Sequence, residues 1–223
     1  MNRIMTVLII NSAEPSERGF VEAIRNALVG LSVESVIEEY AEFIDAQDIK
    51  ACDAVIISAS PKGDNGNFKE RLKSFQWLKK TKIPVLGICA GHQFIGAIFG
   101  GALISDAQSE DGITSVKIET PDPLFQESSR LITVEQHHND AIALPEEFTL
   151  LASSSRCGVQ AMRHQTKPIY SVQWHAERSN PDIIRNFMNI VQRMLIDKGE
   201  IVLDSIARVC DTKNAKFIRH NDA

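Results

Sequence analysis

Cys89 is framed as Gly87-Ile88-Cys89-Ala90-Gly91, the spacing of a nucleophile elbow with cysteine in place of serine. In such an elbow a buried strand turns sharply into a helix, and the nucleophile sits at the apex in a strained backbone conformation. Residues two positions to either side must be small, because the chain passes close to its neighbours there. The thiol then lies at a helix N-terminus, whose partial positive charge favours thiolate. On this pattern alone, a buried structural cysteine beside packing glycines is the alternative.

A cysteine nucleophile needs a base and a group that orients the base. Of six histidines, His175 stands out, because Glu177 follows it by two residues in Trp174-His175-Ala176-Glu177. In an extended segment, residues i and i+2 project to one side. The carboxylate can then hydrogen-bond one ring nitrogen and leave the other for the thiol. The competing reading is a surface His and Glu ending a strand. His92 falls on the predicted first turn of the helix after Cys89, His164 near a turn at a strand end, and His220 in a polar tail.

Metal and phosphate chemistries fit less well. H-x-E is also the start of a zinc-deaminase signature, but that needs P-C-x-x-C downstream; here Cys210 follows alone. His137 and His138 are adjacent, and neighbours on a strand face opposite ways. No metal site is predicted, and no cofactor. Ser60-Pro61-Lys62-Gly63 lacks the spacing and the Lys-Ser/Thr ending of a phosphate loop.

The elements that must position these residues alternate. Ile4 to Ile10, Val33 to Ile37, Ala54 to Ser58 and Val85 to Ile88 read as strands, the apolar ones buried on both faces. Phe20, Val21, Ile24 and Leu28 predict a helix stopped by Gly30, and Phe68 to Leu78 predicts another. Such alternation implies an open, mostly parallel central sheet with helices on both faces, an α/β fold. Ile113 to Ile118, Leu131 to Glu135, Phe148 to Ala152, Val159 to Met162 and Ile169 to Gln173 predict extra, partly antiparallel strands flanking it. The strongest helix signal comes last: Asn180 as a cap, Pro181 in the first turn, an apolar face from Ile183 to Leu195, and Gly199 as the stop.

Composition narrows the setting. The 223 residues carry 24 basic and 29 acidic side chains, a formal charge of −5, with 43% apolar content. That balance gives no electrostatic footprint for nucleic acid or an anionic membrane. Ile83 to Ser105 has no charged side chain and the length of a membrane span, but Pro84, His92, Gln93 and five glycines favour a strand, a turn and a buried helix. Four scattered cysteines without a C-x-x-C pair argue against a disulfide scaffold. The N-terminal apolar run is too short for a signal peptide, so a reduced, cytoplasmic compartment is expected. One domain over residues 1–198 and a C-terminal extension over 199–223 are predicted.

Gly87-Ile88-Cys89-Ala90-Gly91-His92-Gln93, Val172-Gln173-Trp174-His175-Ala176-Glu177 and Ser58-Ala59-Ser60-Pro61 together resemble the class I, triad-type glutamine amidotransferases. The likeness is collinear from about Ile4 to Leu195. Within that family, His138-Asn139-Asp140, Leu144-Pro145, Ala152-Ser153-Ser154 and Ala161-Met162 most resemble the glutaminase subunits of GMP synthases. The resemblance implies a flavodoxin-like core. It also implies hydrolysis of L-glutamine to glutamate and ammonia through a γ-glutamyl thioester on Cys89, with His175 as base and Glu177 holding its tautomer. It assigns the backbone N–H groups of Ser60 and Ala90 to the oxyanion hole, and Gln93, Asn139 and Asp140 to substrate binding. Because no pyrophosphate loop is present, the ammonia must go to a separate synthetase, the GMP synthase ATP-pyrophosphatase subunit being the best candidate.

Three departures bear on this reading. Ala59-Ser60 stands where the family usually has Gly-Gly before Pro, which predicts a less permissive turn; the backbone N–H groups survive the change, and a misoriented hole would make resting activity low. Ala176 replaces a common Pro, and the chain runs on past the last family helix. Two other functions remain open: a stand-alone γ-glutamyl hydrolase, a related class that shares Trp before the His and paired histidines, and a non-catalytic glutamine-binding or regulatory member.

Overall fold

The computed structural model describes residues 3–42, 48–60 and 68–201. In chain order the elements are β1 (Thr6–Asn11), α1 (Gly19–Val29), β2 (Glu34–Glu39), β3 (Ala54–Ile57), α2 (Phe68–Arg71), β4 (Val85–Ile88) and α3 (Ala90–Ile98). Then follow β5 (Leu103–Ile104), β6 (Glu110–Ile118), β7 (Leu131–His138), β8 (Ala141–Ile142), β9 (Phe148–Ser153), β10 (Ala161–His164), β11 (Ile169–Val172), α4 (Ala176–Ser179) and α5 (Pro181–Asp197). Nine strands form one sheet in the order β2-β1-β3-β4-β11-β10-β9-β6-β7. β2, β1, β3, β4 and β11 are parallel; β10, β9, β6 and β7 continue it antiparallel. The flanking strands predicted from sequence thus belong to the same sheet as the core.

Alternation along the central strands builds two cores. Val7, Ile9, Ile56, Leu86 and Ile88 face α1 and α5, meeting Val21, Ile24, Leu28, Ile184 and Phe187. Leu8, Ile10, Val55, Ile57 and Val85 face the other side, where Phe75, Leu78, Phe94 and Ile95 cover them. The strand order 2-1-3-4 with a fifth parallel strand is the flavodoxin-like arrangement, in which ligands bind beyond the carboxyl ends of the strands.

Several local expectations change. The predicted helix over Phe68 to Leu78 has one α-turn, α2, and then winds as 3-10 helix from Leu72 to Lys79. The winding changes next to Arg71, whose guanidinium is drawn inward onto the Ser12 carbonyl and the Ser60 hydroxyl. Gly30 ends α1 with helical dihedrals, and the chain reverses at Ser32, φ 57°. Asn180 precedes α5, but its side chain does not cap it; the Ser179 hydroxyl takes its Oδ1 instead. Gly199 does lie just past α5 with φ 73°. The two-residue strands β5 and β8, which pair with each other, are too short to show a period. Residues 61–67, where Pro61, Gly63 and Gly66 signal a turn after the third strand, and the segment 202–223 lie outside the described residues.

Candidate active site

Four adjacent parallel strands end on the same side of the sheet, and each delivers one part of the site. β1 leads to Ser12, β3 to Ser58-Ala59-Ser60, β4 to Cys89, and β11 to Gln173-Trp174-His175. Cys89 lies between β4 and α3 with φ 51° and ψ −103°, a conformation that costs a non-glycine residue free energy and persists only where the surroundings enforce it. They do so at both flanking glycines. A Cβ on Gly91 would come within 2.5 Å of the Ile57 carbonyl, and one on Gly87 within 2.6 Å of the Gly91 carbonyl. The elbow predicted from sequence is the one observed, and Cys89 is buried at 5% exposure.

His175 Nδ1 is 2.8 Å from Glu177 Oε1, and both side chains are buried. Glu177 occupies the first turn of α4, directly after His175. The imidazole ring stacks on Phe20 of α1, with centroids 5.4 Å apart, and Arg178 lies over that phenyl ring. The His175 backbone N–H donates to the Glu135 carbonyl of β7, and the Ser179 hydroxyl donates to the His175 carbonyl. These contacts fix the ring from several directions. Its Nε2 is buried without a hydrogen bond of full geometry, yet it feels the Cys89 sulfur. Burial alone would lower the pKa of His175. Hydrogen bonding to Cys89 and Glu177, with the charges of both, outweighs burial and pushes it up to about 10. Both neighbours therefore favour the protonated ring.

Behind the nucleophile lies a pair of buried amides. Gln173 Nε2 approaches Cys89 Sγ at 3.7 Å, and Gln93 Nε2 lies 3.4 Å from Gln173 Oε1 and donates to the Asp140 carbonyl at 2.7 Å. Gln93 and Asp140 are therefore brought together, Asp140 buried and Asn139 exposed beside it. Sequence reading passed over Gln173; its place at the end of β11, next to the strand that carries Cys89, was the available signal.

The turn after β3 needs no glycine. Among the described residues, the non-glycine positions with positive φ are Ser32, Cys89, Asp106 and Glu127, so Ala59 and Ser60 are unstrained. The Ser58 carbonyl accepts from the Gly91 N–H at 3.2 Å, which ties this turn to the elbow. The turn thus accommodates Ala59 and Ser60 without a left-handed residue. Ala90 is the first residue of α3, where N–H groups have no partner within the helix.

The remaining chemistry-bearing residues sort themselves by burial. His92 bonds Ser171 Oγ at 2.8 Å, and burial, with the nearby His138, lowers its pKa to about 3, so it is neutral in use. His137 is exposed beside Asp111, while His138 on the opposite face of β7 is buried, with Nδ1 on the Asp140 carbonyl and Nε2 3.4 Å from Glu110. Glu110, His138 and Cys157 place donor atoms within 4.8 Å of one another. The Glu110 carboxylate already accepts from Ser154 and Gln160, and burial pushes the Cys157 thiol up to about 11. The cluster reads as a buried hydrogen-bond network that supports the Asp140 segment. Among the described residues, no helix is long and apolar enough to cross a membrane.

The family model for "Glutamine amidotransferase class-I" matches residues 16–190. A GMP synthase (glutamine-hydrolyzing) subunit from Archaeoglobus fulgidus is 34% identical over 176 residues, 76% of this chain and 92% of that one. The Methanosarcina acetivorans protein of the same name is 31% identical over 86% of this chain and 99% of its own length. A Thermoplasma acidophilum protein described as a subunit of GMP synthase has a crystal structure that aligns with TM-score 0.76 and 30% identity, covering 90% of this chain and all of that one. A glutamine amidotransferase from Thermotoga maritima shares the fold at TM-score 0.66 and 20% identity, over 88% of this chain and 86% of its own. By sequence and by fold, the chain belongs to the class I glutamine amidotransferases.

Proposed function

We propose that the chain is a glutaminase subunit that hydrolyses L-glutamine through Cys89, His175 and Glu177 and passes the ammonia to a separate synthetase. The observation that carries this reading is His175 beside the Cys89 elbow, its ring oriented by Glu177 at 2.8 Å. The Cys89 thiolate attacks the side-chain amide carbon of glutamine, and the amide oxygen becomes an oxyanion. The backbone N–H groups of Ser60 and Ala90 stabilise that charge in a site from which water is largely excluded. Collapse breaks the C–N bond, and His175 gives its proton to the departing ammonia. With the sulfur now in a thioester, His175 loses one of the anions that kept it protonated, which suits it to accept a proton from water. Water adds to the thioester, a second oxyanion forms and collapses, and glutamate leaves as the thiol is regenerated.

Gln93 serves glutamine binding by holding the Asn139–Asp140 segment, through its bond to the Asp140 carbonyl. Gln173 offers an N–H to the sulfur and steadies it as an anion. Released ammonia is wasted unless captured, and the names of the relatives support an acceptor in the GMP synthase ATP-pyrophosphatase subunit. The catalytic unit spans 1–198, with 199–223 as an extension.

Hydrolysis of glutamine labelled with 15N in the amide tests the reading. Labelled ammonia should appear with wild type and be absent with Cys89→Ala. Release of an aromatic amine from a γ-glutamyl anilide, with glutamine untouched, would instead identify a γ-glutamyl hydrolase.

A further inference from the structure

We infer that Ser12, Ser58 and Arg71 form a side-chain clamp that holds the Ala59–Ser60 peptide with its N–H turned outward, so that the oxyanion hole is formed at rest. The inference rests on the reading of Ser60 as an oxyanion donor. It starts from the planarity of the peptide unit: the Ala59 carbonyl and the Ser60 N–H belong to one trans amide and point in opposite directions. Whatever holds the carbonyl therefore aims the N–H.

The carbonyl is held. The Ser58 hydroxyl donates to the Ala59 carbonyl at 2.9 Å, and the Ser12 hydroxyl lies 3.1 Å from the same oxygen. Ser58 Oγ is itself fixed by the Ser12 N–H at 3.1 Å. The preceding carbonyl, that of Ser58, accepts from the Ser12 hydroxyl at 2.7 Å and from the Gly91 N–H at 3.2 Å. Arg71 closes the arrangement from below. One guanidinium nitrogen donates to the Ser12 carbonyl at 2.9 Å and the Ser60 hydroxyl at 3.1 Å, while the other pairs with Glu14 at 3.1 Å. Tyr40 lies against the guanidinium face at 5.3 Å.

All of this is buried. Ser12 and Ser58 are fully enclosed, and Ser60 and Arg71 are 7% and 5% exposed. Flipping the Ala59–Ser60 peptide would strip the Ala59 carbonyl of the Ser58 hydroxyl in a place water does not reach, at a free-energy cost that favours the observed orientation. No acceptor among the described residues takes the Ser60 N–H. A turn built from Gly-Gly draws its geometry from backbone freedom. This turn draws it from side chains. Ser12, Ser58 and Arg71 act as positioning residues.

The test compares wild type with Ser12→Ala, Arg71→Met and Arg71→Lys, using three readouts. Steady-state glutaminase kinetics should show kcat lowered about 10- to 100-fold in Ser12→Ala and Arg71→Met, less than deletion of a whole donor, with KM for glutamine changed less than about 3-fold. Lysine keeps the charge but has one nitrogen where arginine uses two, one on Ser12 and Ser60 and the other on Glu14, so Arg71→Lys should recover only part of the loss. Inhibition by the γ-semialdehyde of glutamate, which adds the Cys89 sulfur to form a thiohemiacetal oxyanion, should weaken in proportion to kcat. Alkylation of Cys89 by iodoacetamide, which forms no oxyanion, should keep its rate. Equal aldehyde inhibition in Ser12→Ala and wild type, or kcat unchanged, overturns the clamp alone. Wild type that neither releases ammonia nor binds the aldehyde overturns the glutaminase reading, and the clamp with it.

Discussion

Cys89 and Cys157 show how surroundings, not residue type, make a nucleophile. Cys157 is buried beside Glu110, and burial pushes its thiol up to about 11, which disfavours the reactive thiolate. Cys89 lies at a helix N-terminus beside His175, whose pKa is pushed up to about 10, and an amide N–H from Gln173. Replacing Cys89 with Ala should abolish ammonia release and leave the fold intact. The same substitution should lower the His175 pKa from about 10, because burial, which opposes protonation, then faces Glu177 alone. A 15N NMR titration of His175 in both proteins checks the direction, and an unmoved value would mean that sulfur and imidazole do not interact. Glu177→Gln keeps the shape but lets the imidazole adopt the wrong tautomer. It should cost about 10²- to 10⁴-fold in kcat with little change in KM, measured by coupled glutamate detection.

At the scale of elements, the site depends on how closely β3, β4 and α3 approach one another. Gly91→Ala would drive a methyl group against the Ile57 carbonyl, a backbone atom with no rotamer to escape into. A loss of about 1–3 kcal/mol is expected, and for a domain of this size each kcal/mol lowers Tm by about 2–4 °C. Calorimetry measures it, and activity should fall with it as the elbow shifts. These local motifs are also what the sequence made legible. Strand, elbow and helix are contiguous around Cys89, and His175 and Glu177 are two residues apart, so the triad could be read without knowing how the strands pair. Gln173 on Cys89, Arg71 on Ser60 and His138 on Glu110 join separate segments; the first pair needs β11 beside β4 and the last the β6–β7 pairing, neither of which can be read from local spacing. The 3-10 stretch after α2 escaped because its apolar spacing at Phe68, Phe75 and Leu78 also suits an α-helix, and Phe68 and Phe75 both stack on Phe94.

For the whole molecule, the parallel half of the sheet carries Cys89, the Ser58–Ser60 turn and His175, the proposed nucleophile, oxyanion turn and base. The antiparallel half brings Asn139 and Asp140 back toward them at the end of β7. A glutaminase that feeds a partner should do so most efficiently when docked. Adding the GMP synthase ATP-pyrophosphatase subunit with its nucleotide substrates should raise glutamine turnover and move the 15N label into the nucleotide product. Label left in solution would place the ammonia acceptor elsewhere. The most direct test of the central claim is mass spectrometry of the intact protein and its peptides after exposure to an electrophilic diazoketone analogue of glutamine. The account predicts one adduct, on Cys89, whose formation excess glutamine prevents. An adduct on another residue, or none while iodoacetamide still alkylates Cys89, would contradict a formed glutamine site at this cysteine.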